Sequence, residues 1–382
     1  MIESGCAIFI SAMKMAFLLN EYRPFGGMPR DCVRLAEEAT SRGHDITIVT
    51  RSWQGERPEA IEVTLMGQAG LTNSQRDQCF VRKATAWVET HPQNLVVGFL
   101  RMPGLDAYFA ADPCFEAKAR RLKPWWYRLT PRYHRFAHAE RAVYETGLST
   151  QILLLHPGEI SEIQEYYGTE TSRLHVLPPG IKRPDAGAES NRSEARDSVR
   201  TELGIQQSAP MILLAGSGFR TKGLDRALVA LANGAEAHLI VAGQDKPEPY
   251  RQQANRLGLN ERVHFLGGRS DLDRLMLASD LLIHPAYSEN TGTVLLEALV
   301  LGLPVIASAV CGFATHVRDS EGGVVLKEPF SQEELNQVLA GLLEDAPRRE
   351  TMRRAGRAYG ASEDLYSCHQ RAVDLLESLA RS

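Results

Sequence analysis

The sequence predicts an α/β fold of two doubly wound parallel sheets facing one another across a cleft. Three observations predict it. Short, nearly continuous apolar runs rich in Val, Ile and Leu alternate with amphipathic helical patterns, as parallel strands covered on both faces require. The alternation comes as two series separated by a polar stretch. With 382 residues, 43% apolar and 24% charged side chains, the chain has the length for two cores rather than one.

In the first series, MAFLL (15–19), DITIVT (45–50), IEVTLM (61–66), LVVGFL (95–100), QILLL (151–155) and RLHVLP (173–178) read as strands. The polar stretch IKRPDAGAESNRSEARDS (181–198) reads as a connector followed by a helix start. MILLAG (211–216), AHLIVAG (237–243), RVHFLG (262–267), DLLIHP (280–285), LPVIAS (303–308) and GGVVL (322–326) supply the second series. The expected division is a first domain over 1–180, a second over 181–360, and a terminal helix over 361–382 that packs back on the first. The regular pattern begins at Met15, so residues 1–14 read as an extension, with Met13 or Met15 as alternative starts.

Bulk properties narrow the function classes. A formal charge of −4 gives no reason to expect nucleic acid as a partner. The six cysteines are scattered with no CxxC pair, which reads as reduced, cytoplasmic thiols. The N-terminus lacks the charged region and cleavage site of a secretory signal. No run approaches the roughly 18 apolar residues of a spanning helix, so the chain is not expected to cross a membrane.

In doubly wound sheets, ligands sit at the carboxyl ends of strands, so motifs just after strands carry most weight. DLLIHP is followed by the loop AYSEN and then by Thr291-Gly292-Thr293 opening a helix. Asn290 or Thr291 can cap that helix, Gly292 allows close approach to the backbone, and the free N–H groups of the first turn suit a diphosphate. Glu289 would repel phosphate and so faces hydroxyls and backbone donors further out. Glu297 sits among Leu295, Leu296, Ala298 and Leu299, where an unpaired carboxylate costs at least several kcal/mol. A ribose diol would satisfy it; a solvated helix stripe is the competing reading. After MILLAG, the turn Ser217-Gly218-Phe219-Arg220-Thr221-Lys222-Gly223 places two cations ahead of a helix. Lys222 suits a diphosphate and Arg220 can assist, against the alternative of an ordinary surface turn. The turn is neither a P-loop nor a dinucleotide fingerprint, since Thr221 stands where the third glycine belongs.

Lys222-Gly223 followed by Glu289 and Glu297 resembles the donor site of family 4 retaining glycosyltransferases, whose GT-B fold pairs two Rossmann-like domains. RPFGGMPRDCVRLAEEATSRGH (23–44), RMPGLDAYFAADPCFEAKA (101–119), HPAYSENTGTVLLEAL (284–299) and EPFSQEELNQVL (328–339) resemble the lipopolysaccharide core glucosyltransferases within that family, over residues 15 to about 370. The resemblance implies transfer of a hexose, glucose first among the candidates, from a UDP-sugar to an inner-core heptose of lipopolysaccharide. It implies that Glu289 binds the hexose and Glu297 the ribose, that Lys222 neutralises the diphosphate, and that the Gly26-Gly27 loop approaches it. It places Asp31 and Asp112 at the acceptor, with Asp112, Lys222 and Glu289 counted as catalytic. It further implies retention of configuration without metal or cofactor. Thr221 departs from the family, which often has a second basic residue there; Arg220 is its candidate substitute. Taken from their neighbours alone, Asp31 reads as a first-turn acid of a helix containing Pro29, and Asp112 as a turn cap before Pro113.

The remaining motifs have plainer readings. Asp271-Leu272-Asp273 matches a manganese-binding DxD but leads into a helix, so a charged N-terminal turn is the expectation. His44, entering a strand, reads as structural. No zinc spacing occurs among the histidines and cysteines. Residues 115–145 hold eight Lys and Arg against three Glu, a local charge of +5, interleaved with Trp125, Trp126, Tyr127, Tyr133 and Phe136. That composition suits a peripheral contact with the anionic inner face of a cytoplasmic membrane; the competing reading is a basic helix pair with its aromatics packed inside. Two other function classes remain: a UDP-sugar 2-epimerase, and a membrane-associated binding protein with a dead site. The sequence leaves the hexose and the acceptor heptose open.

Overall fold

A computed structural model describes residues 12–24, 26–185, 187–234 and 236–380. Apart from residues 12–14, the expected extension lies outside the described residues. The chain forms two compact units. One runs to Leu177 and takes the chain up again at Ser367; the other is Pro178–Tyr366.

The first unit is built from β1 (Lys14–Leu19), α1 (Gly27–Ser41), β2 (Asp45–Thr50), β3 (Glu62–Leu65), α2 (Asn73–Thr90), β4 (Leu95–Gly98), β5 (Ala107–Ala110), α3 (Phe115–Leu122), α4 (Pro131–Tyr144), β6 (Gln151–Leu154), α5 (Glu159–Tyr167) and β7 (Leu174–Val176). Its strands form one sheet in the order β3-β2-β1-β4-β5-β6-β7, all parallel. Successive side chains of a strand point to opposite faces. Met15, Phe17 and Leu19 of β1 therefore enter one helical layer while Ala16 and Leu18 enter the other. Both faces are dry, which is why the strand reads as an unbroken apolar run.

One strand is absent from the sequence reading. Between LVVGFL and QILLL the structure inserts β5, a fully buried AYFA. Its two alanines carry little strand propensity, and its pairing with β4 and β6 holds it in place.

The second unit contains α6 (Arg192–Leu203), β8 (Met211–Ala215), α7 (Leu224–Ala232), β9 (His238–Ala242), α8 (Glu248–Arg256), β10 (Val263–Gly267), α9 (Leu272–Ala278), β11 (Leu281–His284), α10 (Thr293–Val300), β12 (Val305–Ser308), α11 (Ala314–Asp319), β13 (Gly323–Leu326), α12 (Gln332–Glu344) and α13 (Ala346–Ser362). The strand order is β10-β9-β8-β11-β12-β13. Met211, Leu213 and Ala215 of β8 face one layer, and Ile212 and Leu214 the other. All six runs of the second series occur as strands, and the connector leads into α6. The second unit continues past residue 360 because α13 runs to Ser362 and Tyr366 still donates to the Gly360 carbonyl at 2.6 Å.

The chain ends in α14 (Cys368–Leu379), which belongs to the first unit. Its Cys368, Ala372, Val373 and Leu376 share an apolar layer with Cys32, Leu35, Ala36 and Ala39 of α1. Asp374 pairs with Arg42 at 2.7 Å. His44 is structural: its Nδ1 accepts the Met13 N–H at 3.3 Å, and its Nε2 meets Glu377 at 3.1 Å. Leu376→Ala should destabilise this unit by about 2–5 kcal/mol, read as a lower urea midpoint at unchanged far-UV circular dichroism.

Candidate active site

The order in which the chain adds strands to the second sheet reverses between the parallel β8 and β11, so the crevice of a doubly wound fold opens at their carboxyl ends. The loop after β8 reaches that crevice through Gly223. Its φ is +74°, and a Cβ there would lie 2.0 Å from the Pro285 carbonyl oxygen. Only glycine permits the approach. Two further ties hold the loops together. The Tyr287 N–H donates to the Thr221 carbonyl at 2.9 Å. Arg226 donates to the Pro285 and Ala286 carbonyls at 3.0 and 3.1 Å and stacks on the Tyr287 and Phe330 rings.

This packing places Lys222 directly against Glu289. The Lys222 ammonium donates to Glu289 Oε2, and Nε2 of His284 meets the same oxygen at 3.0 Å. Glu289 keeps only 12% of its side-chain exposure and His284 none. Burial pushes the Glu289 carboxyl up, but the His284 hydrogen bond and the Lys222 charge outweigh it and hold the group at about 2. The site therefore presents an ionised carboxylate and an ammonium side by side at the switch point.

The helix beyond differs from the expectation. Neither Asn290 nor Thr291 takes the N-cap position of α10; Gly292 does, at φ +81°, and has no side chain to cap with. Asn290 is buried, and the Asn290 and Thr291 carbonyls instead accept the Gly312 and Phe313 N–H groups. Thr293 opens α10, and Glu297 lies half-buried on its second turn. Arg220 is exposed on the turn before Lys222 and stands outside the Lys222–Glu289–His284 group.

In the first unit the reversal lies between β1 and β4. Gly26 is the N-cap of α1, and Gly27 opens the helix with free space around it. Asp31 falls one residue beyond the first turn, not in it, and its carboxylate lies 3.4 Å from His369 of α14. Asp112 is exposed after β5, and Arg101 fixes its backbone by donating to the Asp112 and Pro113 carbonyls, both at 2.8 Å. Arg101 also pairs with the wholly buried Glu140 at 3.0 Å. Glu140 in turn accepts the N–H groups of Phe115 and Glu116 at 2.5 and 2.9 Å, capping α3 from the neighbouring helix. Burial pushes nearby Glu159 up to about 8.

The DxD is a charged turn. Asp271 sits at the N-cap of α9, bound by Arg269 at 2.7 Å and Arg274 at 3.0 Å, and these contacts hold it at about 2. Among the described residues no group of three or more His, Cys, Asp or Glu is placed to hold a metal. The aromatics of the basic segment divide into packed and exposed ones. Tyr127, Tyr133 and Phe136 are half-buried near Phe115. Trp125 and Trp126 are 71% and 54% exposed, alongside Leu122 and Leu129. No helix of the described residues is long and apolar enough to cross a membrane.

Sequence reasoning missed His284 and the Arg101–Glu140 pair. His284 had a signal: it is the lone polar residue at the carboxyl end of an apolar strand, LLIH. Glu140 had none, since its partners lie 24 to 39 residues away along the chain.

Two doubly wound parallel sheets, with candidate functional groups at both switch points, define the GT-B class of glycosyltransferases. Residues 195–359 match the glycosyl transferases group 1 family. Lipopolysaccharide glucosyltransferase WaaG of Escherichia coli (strain K12) is 42% identical over 369 residues, 95% of this chain and 98% of that protein. A crystal structure of WaaG, a glycosyltransferase involved in lipopolysaccharide biosynthesis, matches with a TM-score of 0.89 at 41% identity, covering 94% of this chain and 99% of that one. A D-inositol 3-phosphate glycosyltransferase of Nocardia farcinica (strain IFM 10152) is 30% identical over 234 residues, 58% of this chain and 50% of that protein. Sucrose-phosphate synthase from Thermosynechococcus elongatus shares the fold, with a TM-score of 0.79 at 18% identity over 97% of this chain and 100% of that one. The chain belongs to the family of lipopolysaccharide glucosyltransferase WaaG.

The Glu289 carboxyl lies below its ordinary 4.5 in the folded chain. Its contribution to stability is therefore complete above about pH 5 and fades as the pH falls toward 2. Urea midpoints of the native chain and Glu289→Gln should differ most at pH 7 and converge between pH 5 and 2.

Proposed function

We propose that this chain is a retaining hexosyltransferase that moves glucose from UDP-glucose to an inner-core heptose of lipopolysaccharide, without a metal ion. The observation that carries the reading is the Lys222–Glu289 pair at the β8/β11 switch point, set in a chain 42% identical to a lipopolysaccharide glucosyltransferase along almost its whole length.

The chemistry follows from the charges. Breaking the bond from the anomeric carbon to the diphosphate leaves negative charge on the leaving oxygen. Lys222 and the N–H groups opening α10 oppose that charge more strongly in the transition state than before it. The acceptor hydroxyl forms its bond to the anomeric carbon on the face the diphosphate leaves, and its proton passes to a departing phosphate oxygen. No strong side-chain base is needed. Glu289 accepts hydroxyl hydrogens of the hexose, and Glu297 takes the ribose diol. Asn290, Thr291, Gly292 and Thr293 line the donor, with Arg220 assisting at the diphosphate. In the first unit, Asp31 and Asp112 are assigned to the acceptor.

The acceptor's lipid gives the basic segment its place. Trp125, Trp126, Leu122 and Leu129 present apolar surface among Arg120, Arg121, Lys123 and Arg128, a combination suited to the headgroup layer of the inner leaflet. Each cation near an anionic surface contributes about 1 kcal/mol. The protein is thus a peripheral enzyme of the cytoplasmic membrane face.

Lys222→Ala should lower turnover by roughly two to three orders of magnitude with the fold intact by circular dichroism; an active variant removes Lys222 from the mechanism. Glu289→Ala should reduce transfer far more than UDP affinity measured by calorimetry, and equal losses would contradict its role. The chain should sediment with vesicles of anionic phospholipid and be released by salt, less tightly as Trp125→Ser with Trp126→Ser. Absence of salt-sensitive binding overturns the membrane contact.

A further inference from the structure

The proposed reaction makes two demands on one ammonium. In the structure Lys222 is bonded to Glu289 Oε2, whereas the departing diphosphate requires the same charge. A carboxylate so nearly buried that lost its cation would move toward the neutral acid, and the acid would donate a hydrogen to the sugar where a carboxylate accepts one. Another donor must hold it.

That donor is in place. His284 closes β11, locked between β8 and β12, and is wholly buried. Its Nε2 lies 3.0 Å from Glu289 Oε2. A carboxylate accepts only, so Nε2 carries the hydrogen. The other nitrogen, Nδ1, is buried without a partner among the described residues, a cost that a leucine or isoleucine in this strand would avoid. Leu281, Leu282 and Ile283 show that the position favours apolar side chains. The hydrogen bond from the imidazole to Glu289 works against that cost. Both donors converge on Oε2, leaving Oε1 open to a hydroxyl among the described residues.

We propose that His284 is a positioning residue: donating from Nε2, it keeps Glu289 aimed at the hexose hydroxyls while Lys222 serves the diphosphate. The inference rests on the proposed transferase reading. The loop it acts through is rigid. Arg226 holds the Pro285 and Ala286 carbonyls, Ser308 Oγ donates to Ala286 at 2.9 Å, and Tyr287 is tied to Thr221. The imidazole therefore sets the last free choice, the rotamer and charge of the Glu289 side chain.

The test compares the full chain with His284→Leu and His284→Gln, whose amide presents an N–H at nearly the reach of Nε2. Initial rates with UDP-glucose and a heptose-terminated core acceptor, UDP affinity and melting temperature are measured for each. Nitrogen-15 spectra of the imidazoles are recorded for the native chain and Glu289→Gln. His284→Leu should lose on the order of 10- to 100-fold in kcat, with UDP affinity within about threefold, and Gln should recover most of that loss. The spectra should place a hydrogen on Nε2 of His284, with a resonance that shifts in Glu289→Gln. A leucine variant with the native kcat overturns the inference, as do equal losses for Gln and Leu at matched melting temperatures, or an Nδ1–H tautomer with no hydrogen on Nε2. If the native chain turns over no UDP-glucose, the proposed function fails, and the tautomer then decides this inference alone, as it does if the leucine variant does not fold.

Discussion

The site in the second unit depends on one steric fact: no side chain fits between the α-carbon of Gly223 and the carbonyl of Pro285. With that space closed by bare backbone, the loop after β8 lies on the exit of β11, and Lys222 reaches Glu289 from a strand 67 residues earlier. Hydrogen bonds from Arg226 and Tyr287 then fix both loops. The electrostatics follow from the sterics. A carboxylate at 12% exposure would be costly alone, and two donors at a fixed distance make it the stable form.

The first unit solves a comparable problem with different parts. Three helix and loop segments meet where β4 and β5 end, each bringing unsatisfied backbone groups. Glu140, wholly buried on α4, accepts two N–H groups of α3 and the Tyr167 hydroxyl. Its remaining charge is met by Arg101 Nη1, while Nη2 of the same guanidinium donates to the two carbonyls after β5. One ion pair therefore joins the start of the basic segment to the backbone of Asp112. Losing either partner would leave the other charge buried, which is why such pairs resist piecemeal change.

The sheets were legible because covered parallel strands announce themselves as apolar runs, and every run named in the sequence is a strand. β5 escaped because two of its four residues are alanine, and its strand character comes from its neighbours. The loops carrying Lys222 and Glu289 were legible from their place after strands. Their contact was not: periodicity says nothing of a glycine packing across a crevice, and a phosphate-binding lysine and a sugar-binding glutamate read as separate. The α10 cap was misread for a related reason. Asn290 and Thr291 have capping side chains, but Gly292 can take the left-handed conformation that the turn needs, and the Asn290 and Thr291 carbonyls are committed to Gly312 and Phe313.

Under the proposed reaction, the Lys222–Glu289 pair also bears on how readily a donor would be admitted. At an effective dielectric near 20, two unit charges about 4 Å apart interact by about 4 kcal/mol. A diphosphate offers more than one negative charge to the same ammonium, together with the N–H groups opening α10. Exchange of Lys222 from Glu289 to diphosphate thus trades one such interaction for at least one of equal size plus the helix contribution of about 0.3–1 kcal/mol. The trade is near balance unless the carboxylate left behind is held by another donor. The buried His284 hydrogen bond supplies that support before the donor arrives, so the exchange under the proposed reaction need not strand a charge. Pairing Lys222 with Glu289 beforehand gives the ammonium a defined position, so the site is ordered at both of its functional atoms.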